Sequence, residues 1–186
     1  MAQSLKNIAK TADQYRYVLL VMRHAKTEPA NLAGDRAREL TDKGRKQAKN
    51  VARGIQSLRL VPDRIACSGA VRAQQTLDRM LKVFGDGPQV DYRQSLYEGG
   101  VQAVFDEIAR TPDKYHKLMV VGHEPTVSIA SEWIASERSG QSVLDRLQLG
   151  LSPASVVVFG SDKPFSSWQV HAADLLAMLN PKDFSD

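Results

Sequence analysis

Two of the four histidines in this 186-residue chain follow apolar runs that are typical of buried strands. Residues 17–22 form the first run and are followed by Arg23 and His24, whereas residues 118–122 form the second and are followed by His123. Strands that are apolar throughout belong to parallel sheets covered by helices on both faces. Ligands of such sheets bind beyond the carboxyl ends of the strands, so both imidazoles are predicted to lie at a ligand-binding edge.

Arg72 is predicted to face the same edge as His24. It follows a short predicted strand, residues 64–67, and a tight turn that begins at Ser68. The apolar pattern after the turn predicts a helix with Arg72 in its first turn. Free backbone N–H groups and the helix dipole favour an anion at that position.

Arg23, His24, Arg72 and His123 together could bind and transfer a phosphoryl group. Guanidinium groups bind pairs of phosphate oxygens, and a second imidazole can donate to a third oxygen. The nearby cations disfavour the protonated form of His24, and a neutral imidazole is a competent nucleophile. Phosphoryl transfer asks mainly for positioning and charge stabilisation. No cluster of metal ligands is apparent in the sequence, so neither a metal nor another cofactor is predicted.

The elements that position these residues alternate between strand and helix along the chain, which predicts an α/β fold. We expect a three-layer α/β/α sandwich with a mostly parallel central sheet. Residues 25–40 have the length of a binding loop, and Thr41 is the predicted N-cap of the following helix. The polar stretch 137–145 is predicted as a loop, and residues 155–159 and 167–172 as a final antiparallel pair of strands.

Length and composition predict one domain over residues 1–186, with residues 1–16 as a surface extension. Twenty-five Lys and Arg against 21 Asp and Glu give a formal charge of +4 that is scattered along the chain, so no nucleic-acid partner is predicted. No run has the length of a signal peptide core or a membrane span, so no membrane association is predicted. The single cysteine favours a cytoplasmic location, and nothing in the sequence predicts an oligomeric state.

Several other polar residues are predicted to have no catalytic role. Cysteine phosphatases need a longer loop than the four residues that separate Cys67 from Arg72, so Cys67 is predicted to be a buried small apolar residue. His116 and His171 are predicted to face solvent. Glu124 is predicted to cap the helix that follows it.

Four sequence blocks resemble the histidine phosphatase superfamily, also called the phosphoglycerate mutase-like superfamily. Arg23-His24-Ala25 resembles its Arg-His-Gly signature, and residues 121–125 resemble its second-histidine motif. Residues 40–48 match the pattern Leu-Thr-x-x-Gly-x-x-Gln-Ala, and residues 68–76 match Ser-x-x-x-Arg-Ala-x-x-Thr. The blocks occur in the family's order, and the run Arg-His-Ala-Lys is most similar to the SixA-type branch of phosphohistidine phosphatases.

This resemblance implies a role for each matching residue. His24 is implied to be the nucleophile that becomes phosphorylated, whereas Arg23, Arg72 and His123 are implied to bind phosphate. Thr27 is implied to add a hydroxyl contact. The resemblance also implies the phosphoglycerate mutase-like fold.

Glu98 is the candidate general acid. It resembles the carboxylic acid with which larger family members protonate a leaving alkoxide. Phosphohistidine has a better leaving group, so Glu98 could be essential for sugar phosphates and dispensable for phosphohistidine. The structural alternative is a carboxylate near a helix N-terminus that complements the helix dipole.

The function predicted from the sequence is a metal-independent phosphatase that acts through a phosphohistidine intermediate. Its leading substrate class is phosphohistidine on a protein, so the expected partner is a phosphorylated protein or a small phosphorylated metabolite. One alternative keeps the site in a small-molecule phosphomonoester phosphatase or a mutase. Another is a module that binds phosphate or a phosphoprotein with little turnover.

Overall fold

The computed structural model of the chain describes residues 4–185, which form a six-stranded sheet with helices on both faces. This architecture confirms the predicted α/β/α fold. The helices are α1 Leu5–Ala12, α2 Asp42–Ser57, α3 Val71–Phe84, α4 Ser95–Glu98, α5 Gly100–Ala109, α6 Thr126–Ile134 and α7 Gln141–Gln148. The strands are β1 Tyr17–Arg23, β2 Arg64–Ser68, β3 Gln89–Arg93, β4 Lys117–Gly122, β5 Val156–Ser161 and β6 Asp174–Leu179.

The strands lie in the order β3-β2-β4-β1-β5-β6. Neighbours from β3 to β1 are parallel, whereas β5 is antiparallel to both β1 and β6. The sheet is therefore mostly parallel, as predicted. The carboxyl ends of β1, β2, β3, β4 and β6 lie at one edge of the sheet, together with the amino end of β5; we call this the carboxyl edge.

The central strand β1 is buried on both faces because its alternate residues enter two different cores. Val18, Leu20 and Met22 pack in one hydrophobic cluster with residues of α1, α2 and α3. Tyr17, Leu19 and Val21 pack in the other cluster with residues of α5, α6 and α7. The two clusters fix the position of β1 and thereby of the segment that follows it.

The predicted surface extension at the amino end contains helix α1, which is part of the fold. The Ser4 hydroxyl accepts a hydrogen bond from the backbone N–H of Asn7 and caps this helix. Ile8 and Ala12 are buried in the first hydrophobic cluster. Residues 1–3 lie outside the described part of the chain.

The prediction of a loop over residues 137–145 is wrong in its second half, because α7 begins at Gln141. Val143, Leu144 and Leu147 recur at helical spacing and pack against the second cluster. The polar residues that suggest a loop form the solvent-facing side of this short helix.

The predicted strand over residues 167–172 is also wrong, since the last strand is β6 at Asp174–Leu179. Trp168 packs against Phe165 with ring centroids 5.0 Å apart, and its Nε1 donates to the Lys163 carbonyl oxygen at 2.8 Å. His171 has a φ of 62°, which is incompatible with an extended strand. The antiparallel pairing of the last two strands is confirmed, with β6 in the place of residues 167–172.

Within residues 4–185 no helix combines the length and the hydrophobicity needed to cross a membrane.

Candidate active site

Strands β1 and β4 place two histidines side by side at the carboxyl edge. The strands are parallel neighbours, with Arg23 in register with Gly122. His24 and His123 each come directly after these paired residues, and the backbone N–H of His24 donates to the Gly122 carbonyl oxygen at 3.1 Å. Their ring centroids are 5.2 Å apart.

Helix α3 brings Arg72 to the same place. Its Nε lies 3.3 Å from Nε2 of His24, and the two residues are only 6% and 7% exposed. Thr76 ties the start of α3 to the segment after His24: its hydroxyl donates to the Arg72 carbonyl oxygen and accepts from the backbone N–H of Ala25. The position of Arg72 relative to His24 is therefore held by backbone contacts as well as by packing.

The hydrogen bonds of His24 define which ring nitrogen carries the proton. Nδ1 lies 2.8 Å from the Ala25 carbonyl oxygen, which can only accept, so Nδ1 is the protonated nitrogen. Nε2 of the neutral ring therefore carries the lone pair, and this lone pair accepts from Arg72 Nε. The carbonyl thus fixes both the tautomer and the ring orientation.

Two buried nitrogen atoms of the remaining predicted residues lack a hydrogen-bond partner within the described chain: Nε of Arg23 and Nδ1 of His123. Buried polar atoms are usually paired, so unpaired ones are typical of ligand sites. Arg23 is held through a 2.8 Å bond from its Nη1 to the Leu151 carbonyl oxygen, and His123 through a 2.7 Å bond between Nε2 and the Ser68 hydroxyl. An oxyanion bound by these residues would pair both nitrogens.

Both active-site imidazoles are held in their neutral form. Burial, with a smaller effect of nearby His123 and the arginines, lowers the pKa of His24 from 6.5 to about 3. Burial, followed by the charge of Arg72, lowers the pKa of His123 to about 4. A neutral ring is the form that can use its lone pair as a nucleophile.

These shifts predict that neither imidazole takes up a proton between pH 5 and pH 8. In an NMR titration, the ring signals of His24 and His123, assigned with His24→Asn and His123→Asn variants, should therefore show no inflection in that range. The unfolded chain protonates both rings near pH 6.5 while the folded chain does not, so stability should fall as the pH drops below about 6.5. A titration midpoint near pH 6.5 for either ring would contradict the prediction.

Asp35, from the long loop after β1, also contacts this cluster, although no sequence pattern indicates a role for it. Arg72 donates from Nη1 to the Asp35 carbonyl oxygen at 2.8 Å and from Nη2 to its carboxylate at 3.0 Å. The Tyr97 hydroxyl donates to the same carboxylate at 2.8 Å. The Tyr97 hydrogen bond, followed by those of Arg72 and Arg38, lowers the pKa of Asp35 to about 2, so this group is an anion at neutral pH.

Ser68 and Tyr97 are two further neighbours of the cluster without a predicted role. Ser68 ends β2 and holds His123, and the Tyr97 ring lies 5.6 Å from the His123 ring. The position of Ser68 at the carboxyl end of a buried strand is a signal that the sequence does contain. Tyr97 belongs to the short helix α4, which no sequence pattern predicts.

The other two predicted site residues make contacts outside the four-residue cluster. The Thr27 hydroxyl accepts a 2.7 Å hydrogen bond from Nη2 of Arg38. Glu98 is exposed and accepts from the Gln94 side chain at 3.3 Å, and within the described residues it forms no hydrogen bond or ion pair with His24 or Arg72. Glu124 accepts from the backbone N–H of Ser128 at 3.0 Å, which confirms its predicted capping of α6.

No group of three or more His, Cys, Asp or Glu side chains in the described part of the chain is arranged to hold a metal ion.

A family comparison matches residues 19–159 to the histidine phosphatase superfamily, branch 1. The chain belongs to the histidine phosphatase superfamily. The match spans the elements from β1 to β5, which include every residue of the cluster described above. Membership supports phosphatase activity on phosphorylated substrates.

Solved structures that are similar to this histidine phosphatase include two proteins assigned as SixA. A protein assigned as phosphohistidine phosphatase SixA from Nakamurella multipartitia is 28% identical, with 89% of this chain and 96% of that chain covered and a TM-score of 0.73. A second protein assigned as SixA, from Agrobacterium tumefaciens, is 25% identical, with 90% of this chain and 99% of that chain covered and a TM-score of 0.74. An uncharacterized protein of Picosynechococcus is 33% identical over 158 residues, which cover 82% of this chain and 89% of that protein.

Proposed function

We propose that this histidine phosphatase removes the phosphoryl group from phosphohistidine side chains of another protein. His24 takes up the phosphoryl group, and water then releases it as inorganic phosphate. The similarity to proteins assigned as SixA supports this substrate class.

The observation that carries the proposal is the unprotonated Nε2 of His24 among nitrogen donors. This lone pair lies 3.3 Å from Arg72 Nε, and the buried Nε of Arg23 and Nδ1 of His123 lack partners within the described chain. The Ser68 oxygen accepts from the backbone N–H of Ala70, which leaves its hydroxyl to donate a hydrogen bond to Nε2 of His123. With Nε2 as the acceptor, Nδ1 of the neutral ring carries the proton and can donate a hydrogen bond to a phosphoryl oxygen. The three residues then stabilise the equatorial oxygens while His24 attacks phosphorus.

The reaction has two displacements. In the first, the bond between Nε2 of His24 and phosphorus forms while the bond from phosphorus to the substrate imidazole breaks. A substrate ring protonated on its other nitrogen leaves as neutral imidazole, so no proton has to be delivered to the leaving atom. In the second, a water oxygen displaces His24 from phosphorus and loses its proton to solvent, which yields phosphate and neutral His24.

The surroundings of the site favour a leaving group that needs no general acid. Glu98 is exposed and is bonded to Gln94, and Asp35 is ionised because its pKa is about 2. A carboxylate with so low a pKa is a poor proton donor at neutral pH. An alkoxide leaving from a sugar phosphate or phosphoserine would need such a donor.

A comparison of substrates tests this proposal. We expect a phosphohistidine peptide to be hydrolysed faster than a phosphoserine peptide of the same sequence and faster than a sugar phosphate. The variant Glu98→Gln should hydrolyse the phosphohistidine peptide at nearly the native rate. Loss of a general acid typically lowers the rate by about 10²–10⁴-fold, so the rate of Glu98→Gln shows whether Glu98 acts as a general acid.

Other outcomes would support the alternatives. Faster turnover of the sugar phosphate, together with a large loss in Glu98→Gln, would favour a small-molecule phosphatase. Phosphate transfer that depends on a bisphosphate primer would favour a mutase. Tight binding of the phosphohistidine peptide without phosphate release over hours would favour a binding module.

A further inference from the structure

A cavity lined by three lysines lies at the same edge of the sheet as the candidate active site. This cavity of about 420 Å³ is lined by the side chains of Lys43, Lys46, Asn50, Ser152, Asn180 and Lys182, among others, and no described acidic residue lines it. We call this cavity the lysine pocket. All three lysines are exposed.

The walls of the lysine pocket lie at the carboxyl edge, where His24 also lies. Helix α2, which carries Lys43 and Lys46, begins after the loop that follows β1. Residues 180–182 follow the carboxyl end of β6, and residues 152–153 precede the amino end of β5. Since β5 is antiparallel to both of its neighbours, these segments share one edge of the sheet.

Direct contacts join the pocket walls to the active-site segments. The side chain of Gln47, a wall residue, accepts a hydrogen bond from the backbone N–H of Lys26 at 3.0 Å. The pocket lining also includes Ser152, and the carbonyl oxygen of its neighbour Leu151 accepts a hydrogen bond from Arg23 Nη1 at 2.8 Å. Residues that line the pocket thus contact, directly or through the next residue, the segment that carries Arg23 and His24.

The positive charge of the lysine pocket exceeds the negative charge of the acidic residues next to it in the described chain. Asp42 forms an ion pair with Arg45, and the carboxylate of Asp183 accepts from the backbone N–H of Asn180. None of the three lysines forms an ion pair with a described acidic side chain. Such a cluster attracts anions over about a Debye length, roughly 8 Å at physiological salt.

We propose that the lysine pocket binds an acidic segment of the protein substrate, so that Asp or Glu side chains near the phosphohistidine dock there while the phosphoryl group reaches His24. This inference rests on the proposed function and adds a specificity determinant to it. Carboxylates are the complementary groups for exposed ammonium groups, and a polypeptide that enters the active site must cross the neighbouring surface. These contacts lie away from the reacting atoms and are the same in the bound substrate and in the transition state, so the effect should appear in KM and not in kcat.

Two synthetic phosphohistidine peptides test the proposal, one flanked by Glu residues on both sides and one with Gln at the same positions. The native chain should have a KM about tenfold lower for the Glu peptide at low salt, and added salt should remove the difference. The double variant Lys43→Glu/Lys46→Glu should lose this preference while hydrolysing a small aryl phosphate at the native rate.

A matched control keeps the change in net charge and moves it to the opposite edge of the sheet. Lys114→Glu/Lys163→Glu replaces two exposed lysines in the segments before β4 and after β5, and it should retain the preference for the Glu peptide. Equal KM values for the two peptides in the native chain, or a preference that survives in Lys43→Glu/Lys46→Glu, would overturn the docking proposal alone. If the native chain hydrolyses neither peptide, the proposed function fails and the docking proposal fails with it.

Discussion

Replacing His24 with alanine is expected to lower kcat for a phosphohistidine peptide by about 10⁴-fold or more. The substitution removes the Nε2 lone pair that lies 3.3 Å from Arg72. Arg23, Arg72 and His123 remain to bind the phosphoryl group, so KM should change much less than kcat. This pattern is expected when the group that forms the covalent intermediate is lost while the binding groups are kept.

Trapping the intermediate provides the direct measurement. Native protein quenched without acid during turnover of a ³²P-labelled peptide should carry label that is stable to base and labile to acid, as expected for phosphohistidine. The label should map to the peptide that contains His24, and His24→Ala should carry none. His116→Ala is the matched control, because the His116 ring stacks on Tyr17 with centroids 5.0 Å apart, next to the amino end of β4.

A loss of activity has to be separated from a loss of fold. His24 is buried, so replacing it with alanine leaves a small cavity. The circular dichroism spectrum and thermal midpoint of His24→Ala should therefore be compared with those of His24→Asn, which keeps a polar side chain. Turnover by folded His24→Ala within about tenfold of the native rate would exclude His24 as the nucleophile.

Much of the site's framework could be predicted from the sequence because it depends on buried parallel strands. Residues 17–22 and 118–122 are apolar without interruption, and such runs indicate strands covered on both faces. The residues after them must then emerge at one edge, which is where His24 and His123 lie. Arg72 is predictable for a similar reason, since a short strand and turn place it at the start of a helix.

The contacts of Asp35 could not be predicted from the sequence. Its place within residues 25–40 has no periodicity, and the hydrogen bonds from Arg72 and Tyr97 join residues 37 and 62 positions apart in sequence. The error over residues 167–172 has a related cause. Alternating Trp168, Val170 and Ala172 suggest a strand, but Trp168 is fixed by tertiary packing on Phe165, whereas the nearly continuous apolar run of β6 pairs with β5.

Replacing Arg72 with alanine is expected to lower kcat/KM by about 10²–10³-fold, the usual cost of removing one group that stabilises charge in a transition state. Arg72 is 6% exposed, so its charge acts in a poorly hydrated site where electrostatic effects are strong. Arg72→Lys keeps the charge but loses the planar fork, and it should recover only part of the rate. Arg79→Ala, two turns later on α3, is the matched control and should retain native kcat/KM.

The contact between Asp35 and Arg72 predicts that the effects of substituting the two residues are coupled. In the native chain Arg72 pairs with the Asp35 carboxylate at 3.0 Å, whereas in Arg72→Ala that carboxylate keeps only the partly exposed ion pair with Arg38, and more of its charge acts on the incoming phosphoryl group. Part of the loss in Arg72→Ala should therefore be repulsion, and adding Asp35→Asn to Arg72→Ala should raise kcat/KM by about threefold to tenfold. In the native background the same substitution should have a smaller effect, because it removes an anion that competes for Arg72 and also a contact that positions Arg72. A double-mutant cycle measures this coupling, and equal effects of Asp35→Asn in both backgrounds would show that the two residues act independently on phosphate binding.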